Sequence, residues 1–567
     1  MIYALARRPT RARAQACTFP FGVALGGLAR VLALLISVPC ALAQWSIDSA
    51  VNLTVAGRGS EQVQPKIRAT SDGGAYISWF DNFAGGYDVY LQKLDAQGNL
   101  LWAAPGLLIA DRAVSSTQDY ELAVAPDGDA VIAFGSDGGV SGVALQVAVQ
   151  RVSPAGTIRW ANGGVVVSTG AEIKSLPRLA VMADGTAAIG WSYSPMGLRS
   201  RTAIMRVSIT GALLGSPVEE VNASNFNLTL SDIQPGSASA GDASFIALCV
   251  VQNGTTVSAA RHLYAQKYNA AGVRQWGTAG ALLPIFTTTS IQLGYFPTFL
   301  PDGAGGAIFT WYENGGSRNA YLMHVNANGT IRFGSALATT GATPGFIRIS
   351  AAGAYDPVSG AYYVASTESS SPTQNQWRGV VQKFDNLGNR AWGDGVGVTA
   401  LTGNQTSFVN CAVVGDGAVV AGFVTTGPTN GNVFAARVRG NQQLAWSNLP
   451  GTNVSAKARL SIAAGARGNT LLAWTDGASG TGDVRAHNLN ADGTFAPAQL
   501  GLADIAGPGS SEGSDGELTA DDVILFISRF TSGDWRADVA SPGQLRLPDG
   551  EFTADDVIVF IGAFSNG

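Results

Sequence analysis

One stretch of the chain, Pro65 to Gly106 (PKIRATSDGGAYISWFDNFAGGYDVYLQKLDAQGNLLWAAPG), recurs with variation as far as residue 496. Its first half runs from a turn at Asp72-Gly73 through an apolar run to Trp79. That half recurs as Asp127-Gly128 to Phe134, Asp184-Gly185 to Trp191, Asp242 to Cys249, Asp302-Gly303 to Trp311, Asp416-Gly417 to Phe423 and Arg467-Gly468 to Trp474, with a blurred copy at Ser359–Val364. Its second half, VYLQKLD, a turn at Gly98 and then Trp102, recurs as Gly156…Trp160, Gly272…Trp276, Gly329…Phe333 and Gly388…Trp392, and more weakly near Gly211, Trp446 and Gly493. Successive turns at 72, 127, 184, 242, 302, 359, 416 and 467 lie 51 to 60 residues apart. Eight copies at one period mean an array, and an array restricts the fold more than any composition does.

Each copy holds about four short apolar or alternating runs separated by Asp-Gly, Asn-Gly or Gly-Gly turns, the pattern of a strand meander. Inner runs such as Ala75–Trp79 are apolar on both faces, so both faces must be covered. Sheets stacked around an axis cover them, with the matched aromatics packing each sheet on the next. The expectation is a mainly β chain: an eight-bladed β-propeller over residues 44–500, followed by a small helical module at 503–567. A short run at Ala50–Val55 is placed to pair with the last repeat and close the ring.

Residues 1–43 read as a signal peptide. Arg7, Arg8, Arg11, Arg13 and Arg30 precede an apolar run from Val31 and an Ala41-Leu42-Ala43 site, with no acid before Asp48. The apolar run is too short for a membrane span, so the expectation is an exported bacterial protein, secreted or at the cell surface, with no transmembrane segment. The formal charge of −5 conceals an asymmetry, because residues 503–567 hold twelve acids against three bases. The repeats are nearly neutral once the leader arginines are set aside, which excludes a nucleic-acid footprint. Cys17 and Cys40 fall in the leader, and Cys249 and Cys411 sit in apolar runs, as buried free thiols do.

The tail is a duplication at an offset of 34 residues: Asp515-Gly-Glu-Leu-Thr-Ala-Asp-Asp matches Asp549-Gly-Glu-Phe-Thr-Ala-Asp-Asp, each opening an amphipathic run. D-G-x5-D is the second half of an EF-hand-type loop, in which Gly makes the turn, a carbonyl and a hydroxyl follow, and a final acid closes the site. The candidate Ca²⁺ ligands are Asp515, Glu517, Thr519 and Asp522, then Asp549, Glu551, Thr553 and Asp556. Positions one and three are Ser511 and Gly513, then Leu545 and Leu547, so the remaining oxygens must come from Asp504 and Asp538, eleven residues before each Asp-Gly. The competing reading is a helical hairpin whose Asp residues only cap the helices. The expected packing face is Val523, Phe526, Ile527 and Phe530 against Val557, Phe560, Ile561 and Phe564.

Two such units with the wording Thr-Ala-Asp-Asp-Val-Ile-x-Phe-Ile resemble the dockerin family, in its GC-type variant. The resemblance covers residues 503–567 and implies a calcium-dependent module that attaches its protein to a cohesin-like or cell-surface partner through Ala520-Asp521 and Ala554-Asp555. The repeats resemble propeller repeats of exported bacterial surface proteins, and G-x-x-x-W resembles the structural tryptophan-docking motif of quinoprotein propellers.

Catalytic signals are absent from the sequence. His262, His324 and His487 are scattered without metal-ligand spacing, the G-x-S-x-G string at Gly509–Gly513 falls in a linker and makes no nucleophile elbow, and no C-x-x-C or H-E-x-x-H occurs. The expected function is a non-catalytic binding or adhesion propeller that takes a glycan or protein ligand and is carried on a calcium-dependent anchor. The alternatives are a polysaccharide-degrading glycosidase or lyase with the same anchor, or a structural surface component. What discriminates them is whether ionisable side chains converge in the propeller.

Overall fold

The computed structural model describes residues 45–567 apart from 115–116, 118–119, 162, 222–225, 278–280, 316–317, 342–344, 372, 426–430, 454, 496–502, 504, 508, 513–518, 541–550 and 567. The leader at 1–43 lies outside the described residues, as do Asp504, Asp515, Glu517 and Asp549. The chain is mainly β, with eight four-stranded antiparallel sheets forming an eight-bladed β-propeller. The blades comprise residues 62–110, 121–166, 174–220, 228–286, 299–338, 346–397 and 405–451, with the eighth built from 457–489 and Leu53–Ala56. The expected closure is present: Leu53 pairs with Ala486, so the fourth strand of blade eight comes from the start of the described chain.

Blade one shows why the sequence folds this way. Its first strand (Gln62–Ala69) turns at Asp72-Gly73 into the second (Ala75–Asp81), every residue of which is buried. Its third strand (Asp88–Leu94) turns at Gly98 toward the fourth (Leu107–Ala110). Trp79 is fully buried and packs with Leu471, Ala473 and Val484 of blade eight. Trp191, Trp311 and Trp474 are likewise buried, each against the preceding blade. Cys249 takes the same place in blade four and, like Cys411, is a free thiol.

The G-x-x-x-W turns form a second system of contacts. Trp102 Nε1 donates to Pro154 O at 3.3 Å, Trp160 to Ile209 O at 2.9 Å, Trp276 to Ala327 O at 2.9 Å and Trp446 to Ala491 O at 2.8 Å. Each acceptor stands two residues before the turn glycine of the next blade. At those glycines φ is positive, and at Gly156, Gly211, Gly329 and Gly493 a Cβ would fall within 2.7 to 3.0 Å of the indole. The glycine therefore supplies both the left-handed turn and the room for the ring.

In several blades a third-strand basic residue holds the first turn: Arg151 reaches Asp127 at 2.7 Å, Arg437 reaches Asp416 at 3.1 Å, and Lys93 pairs with Asp72. His324 is the blade-five member of this series, 3.0 Å from Asp302 and 2.7 Å from the Tyr362 hydroxyl. The scattered histidine is thus a structural pair in a repeated position.

The tail contains two helices, Ala520–Ser532 and Ala554–Asn566. Phe526 and Phe560 stack at 3.8 Å with an interplanar angle of 10°, inside a small cluster with Ala503 and Ala537. The expected packing face needs correction here. Ile527, Val557 and Ile561 are 54 %, 37 % and 42 % exposed, while Val559 is buried. Both helices carry apolar residues on more than one face, so a 3.6-residue period alone left the inward stripe undetermined. Among the described residues no helix is long and apolar enough to cross a membrane.

Candidate functional site

Two regions gather chemistry. The first is the tail, where the candidate ligands lie. Asp522 accepts Ile505 N at 2.7 Å and Ala506 N at 2.8 Å on Oδ1, and Thr519 N at 2.8 Å on Oδ2. Asp556 repeats this with Val539 N at 2.7 Å, Ala540 N at 2.9 Å and Thr553 N at 2.8 Å. Thr519 and Thr553 receive the amides of Asp521 and Asp555 at 3.2 Å, so each helix starts with a capping box. Backbone donors hold the Asp556 carboxyl below the usual aspartate range, although burial opposes them.

This arrangement brings some predicted residues together and not others. Asp538, 7 % exposed, immediately precedes Val539, whose amide binds Asp556. Glu551 is exposed at the approach to the second helix. Among the described residues no group of three or more His, Cys, Asp or Glu stands close enough to hold a metal. The donor set is nonetheless one of hard oxygens, which suits Ca²⁺. With four of the ten candidates outside the described residues, the described half of each loop matches the capping geometry.

The second region was not foreseen from the sequence. One cleft of about 400 Å³ is lined by a residue of the first strand, or its edge, in every blade: Arg68, Glu121, Leu179, Asp232, Phe299, Ala352, Asn410 and Ile462. Only the central channel touches all eight, so the first strands surround the axis. In six blades the first strand carries a bulge, as between Val63 and Lys66 or Leu230 and Asp232. The first residues after those bulges, with Glu121 opening the first strand of blade two, make a ring in which Lys66, Glu121, Arg178 and Asp232 alternate in charge. Ala352, Asn410 and Ser461 in blades six to eight carry none.

An inner edge strand exposes backbone groups that nothing in its own sheet can pair. Here side chains from neighbouring blades pair them. Asp232 Oδ2 accepts Phe299 N at 3.1 Å, Ser461 Oγ accepts Ile67 N at 3.2 Å, and Arg178 Nε donates to Ser231 O at 2.6 Å. Asp232 also accepts Ile233 N at 2.9 Å and Gln234 Nε2 at 3.0 Å. Glu121 accepts Lys66 Nζ at 3.3 Å, Arg68 Nη2 at 2.7 Å and its neighbour Leu122 N at 3.2 Å. Burial pushes the Asp232 carboxyl up to about 6, against the opposing pull of its donors.

The chain matches no family model and no curated protein. Its likenesses among solved structures are weak propeller likenesses, mostly to enzymes. A prolyl endopeptidase is 12 % identical with a TM-score of 0.40 over 77 % of this chain and 54 % of that one. This chain thus spans about half the length of that enzyme. Dihydro-haem d1 dehydrogenase is 12 % identical with a TM-score of 0.38 over 80 % of this chain and 81 % of its own. The GH93 α-L-arabinofuranosidase of Fusarium graminearum is 9 % identical with a TM-score of 0.34 over 79 % and 99 %.

Proposed function

We propose that the protein is an exported, non-catalytic binding or adhesion propeller, attached at the cell surface or to a cohesin-like partner through a calcium-dependent dockerin-like module at residues 503–567. The observation that supports the non-catalytic reading is the state of the channel carboxylates. A general acid, base or nucleophile must turn a proton or lone pair toward substrate. Glu121 and Asp232 instead each receive three donors from the protein. Support for the calcium reading comes from the duplication of the tail at one offset, with Asp504 and Asp538 at the same spacing before each Asp-Gly. Calcium titration calorimetry on the full-length protein, after EDTA treatment, tests it: two ions per chain are expected, and absence of heat removes calcium and leaves a capped helical hairpin.

The polysaccharide-degrading alternative has one observation in its favour, the raised pKa of Asp232 in a cleft. Release of reducing ends or unsaturated products from a panel of plant and bacterial polysaccharides, abolished in Asp232→Asn, would establish it in place of the binding reading.

A further inference from the structure

We propose that the channel cleft is a binding site for a small organic carboxylate, with Arg68 as the residue that receives it. This deepens the binding reading of the propeller and rests on it.

The charged groups at the cleft differ in how many hydrogen-bonding positions remain uncommitted. Both acids at the cleft are engaged by the protein: Glu121 by Lys66, Arg68 and Leu122 N, and Asp232 by Ile233 N, Gln234 and Phe299 N. Each thereby uses three of the roughly four acceptor sites of a carboxylate. Arg68 is different. Its two hydrogen bonds, to Glu121 at 2.7 Å and to Ile67 O at 2.9 Å, use two of the five N–H groups that a guanidinium carries. Its side chain is 38 % exposed and lines the cleft. Two cations, Lys66 and Arg68, share the single carboxylate of Glu121. With Arg178 and Asp232 included, the charged sector has three positive groups and two negative ones.

The lining itself carries one cation, Arg68, against Glu121 and Asp232, so the pull on an acceptor-rich anion comes from the unused N–H groups of Arg68, with Lys66 and Arg178 beside the cleft, and not from the charge of the lining. A planar guanidinium fork fits a carboxylate better than a spherical ion. The remaining wall mixes aliphatic side chains such as Leu122, Leu179 and Ile462 with the polar Gln234, Thr310 and Asn410, and takes a weakly polar body. A volume of about 400 Å³ admits a molecule of one or two rings, not a folded polymer domain. Blades six to eight place no charge at the bulge level, so the carboxylate end is directed to the side of blades one and two.

The test uses the full-length protein and two isosteric probes, 4-fluorobenzoate and 4-fluorobenzamide, followed by ¹⁹F line broadening, with glucuronate and glucose as unlabelled competitors. The benzoate should bind, glucuronate should displace it and glucose should not, and Arg68→Gln should weaken it at least tenfold. Arg159→Gln, a half-exposed arginine outside the cleft, should leave binding unchanged. If Arg68→Gln does not fold, judged by its thermal midpoint, the wild-type comparison of benzoate with benzamide decides alone. Equal binding of the amide, unchanged binding in a folded Arg68→Gln, or no binding of either carboxylate up to about 10 mM overturns the proposal. Capture of neutral glycans by the propeller in that last case would preserve the binding reading and remove only this site.

Discussion

The indole of Trp45 lies on the turn made by Gly98, donating from Nε1 to Ala96 O at 3.1 Å while its backbone N–H reaches Gln97 O at 3.1 Å. Gly98 has φ of 86°, and a Cβ there would stand 2.7 Å from the Trp45 nitrogen and 2.8 Å from its ring. The docking position that the preceding blade would otherwise fill at blade one is thus taken by a residue from before the first repeat. The start of the described chain closes the ring twice, once with this indole and once with Leu53–Ala56.

Gly98→Ala should therefore loosen the closure more than a surface substitution does. The strained φ and the clash act together, and a loss of about 1 to 3 kcal/mol is expected. Limited proteolysis should show earlier cleavage between residues 45 and 60, and an unchanged digestion pattern would contradict the closure role.

Trp79→Ala should cost about 3 to 5 kcal/mol, as deletion of a core aromatic does. Trp79 is fully buried between blades one and eight and stacks on Tyr90 at 5.8 Å. In an array the damage is expected to open the blade-eight to blade-one seam before the rest. Hydrogen exchange resolved by blade checks this, with faster exchange in Ala75–Asp81 and Thr470–Asp476 as the expected outcome.

Acid stability should have two opposing components. Burial lowers the His487 pKa to about 4, below an unfolded value near 6.5. Its contribution is complete above about 6.5 and is lost as pH falls through about 4, amounting to up to about 3 kcal/mol. Asp232 acts in the reverse sense. With its pKa raised to about 6, its contribution is complete below about 4 and is lost as pH rises through about 6. Urea midpoints between pH 4 and 7 should show a steeper rise with pH in Asp232→Asn and a flatter one in His487→Leu. Parallel curves for wild type and both variants would refute the assignment.

Asp556→Asn should uncouple the second tail helix from the segment before it. The carboxylate joins Thr553 N to Val539 N and Ala540 N, and an amide cannot accept all three. A loss of about 1 to 2 kcal/mol is expected for the cap, read as lower helicity in far-ultraviolet circular dichroism of the whole chain. Asp522→Asn should behave in the same way, because its bonds are the same.

The propeller was legible because its recurring residues have recurring jobs. Asp72, Trp79, Gly98 and Trp102 each meet one geometric demand that most blades meet with the same or a similar residue, so the chemistry repeats with the structure. The channel ring was illegible for the opposite reason. Its position is the same in each blade, but its residues are Lys66, Glu121, Arg178 and Asp232, chosen to answer a neighbour and not to resemble one another. The bulges that align them leave no residue signature, since the turning positions include Gln64, Leu176 and Ser350 at positive φ. In the tail the repeat and the caps were visible, whereas the inward stripe was hidden by helices apolar on several faces.

The pairing of Leu53 with Ala486 also governs how the molecule can be made. The first strand of the described residues waits for almost the last of the ring, so no intermediate along the chain possesses a closed ring. Loop closure over that separation adds only modest free energy, since each doubling of length costs about 0.6 kcal/mol, but it places the slowest search at the end of synthesis. Until then the third strand of blade eight and the strand that will join it are both bare edges, open to pairing with the same segments of another molecule. Crowded synthesis should therefore favour exchange of residues 53–56 between chains, and dilution should favour the closed monomer.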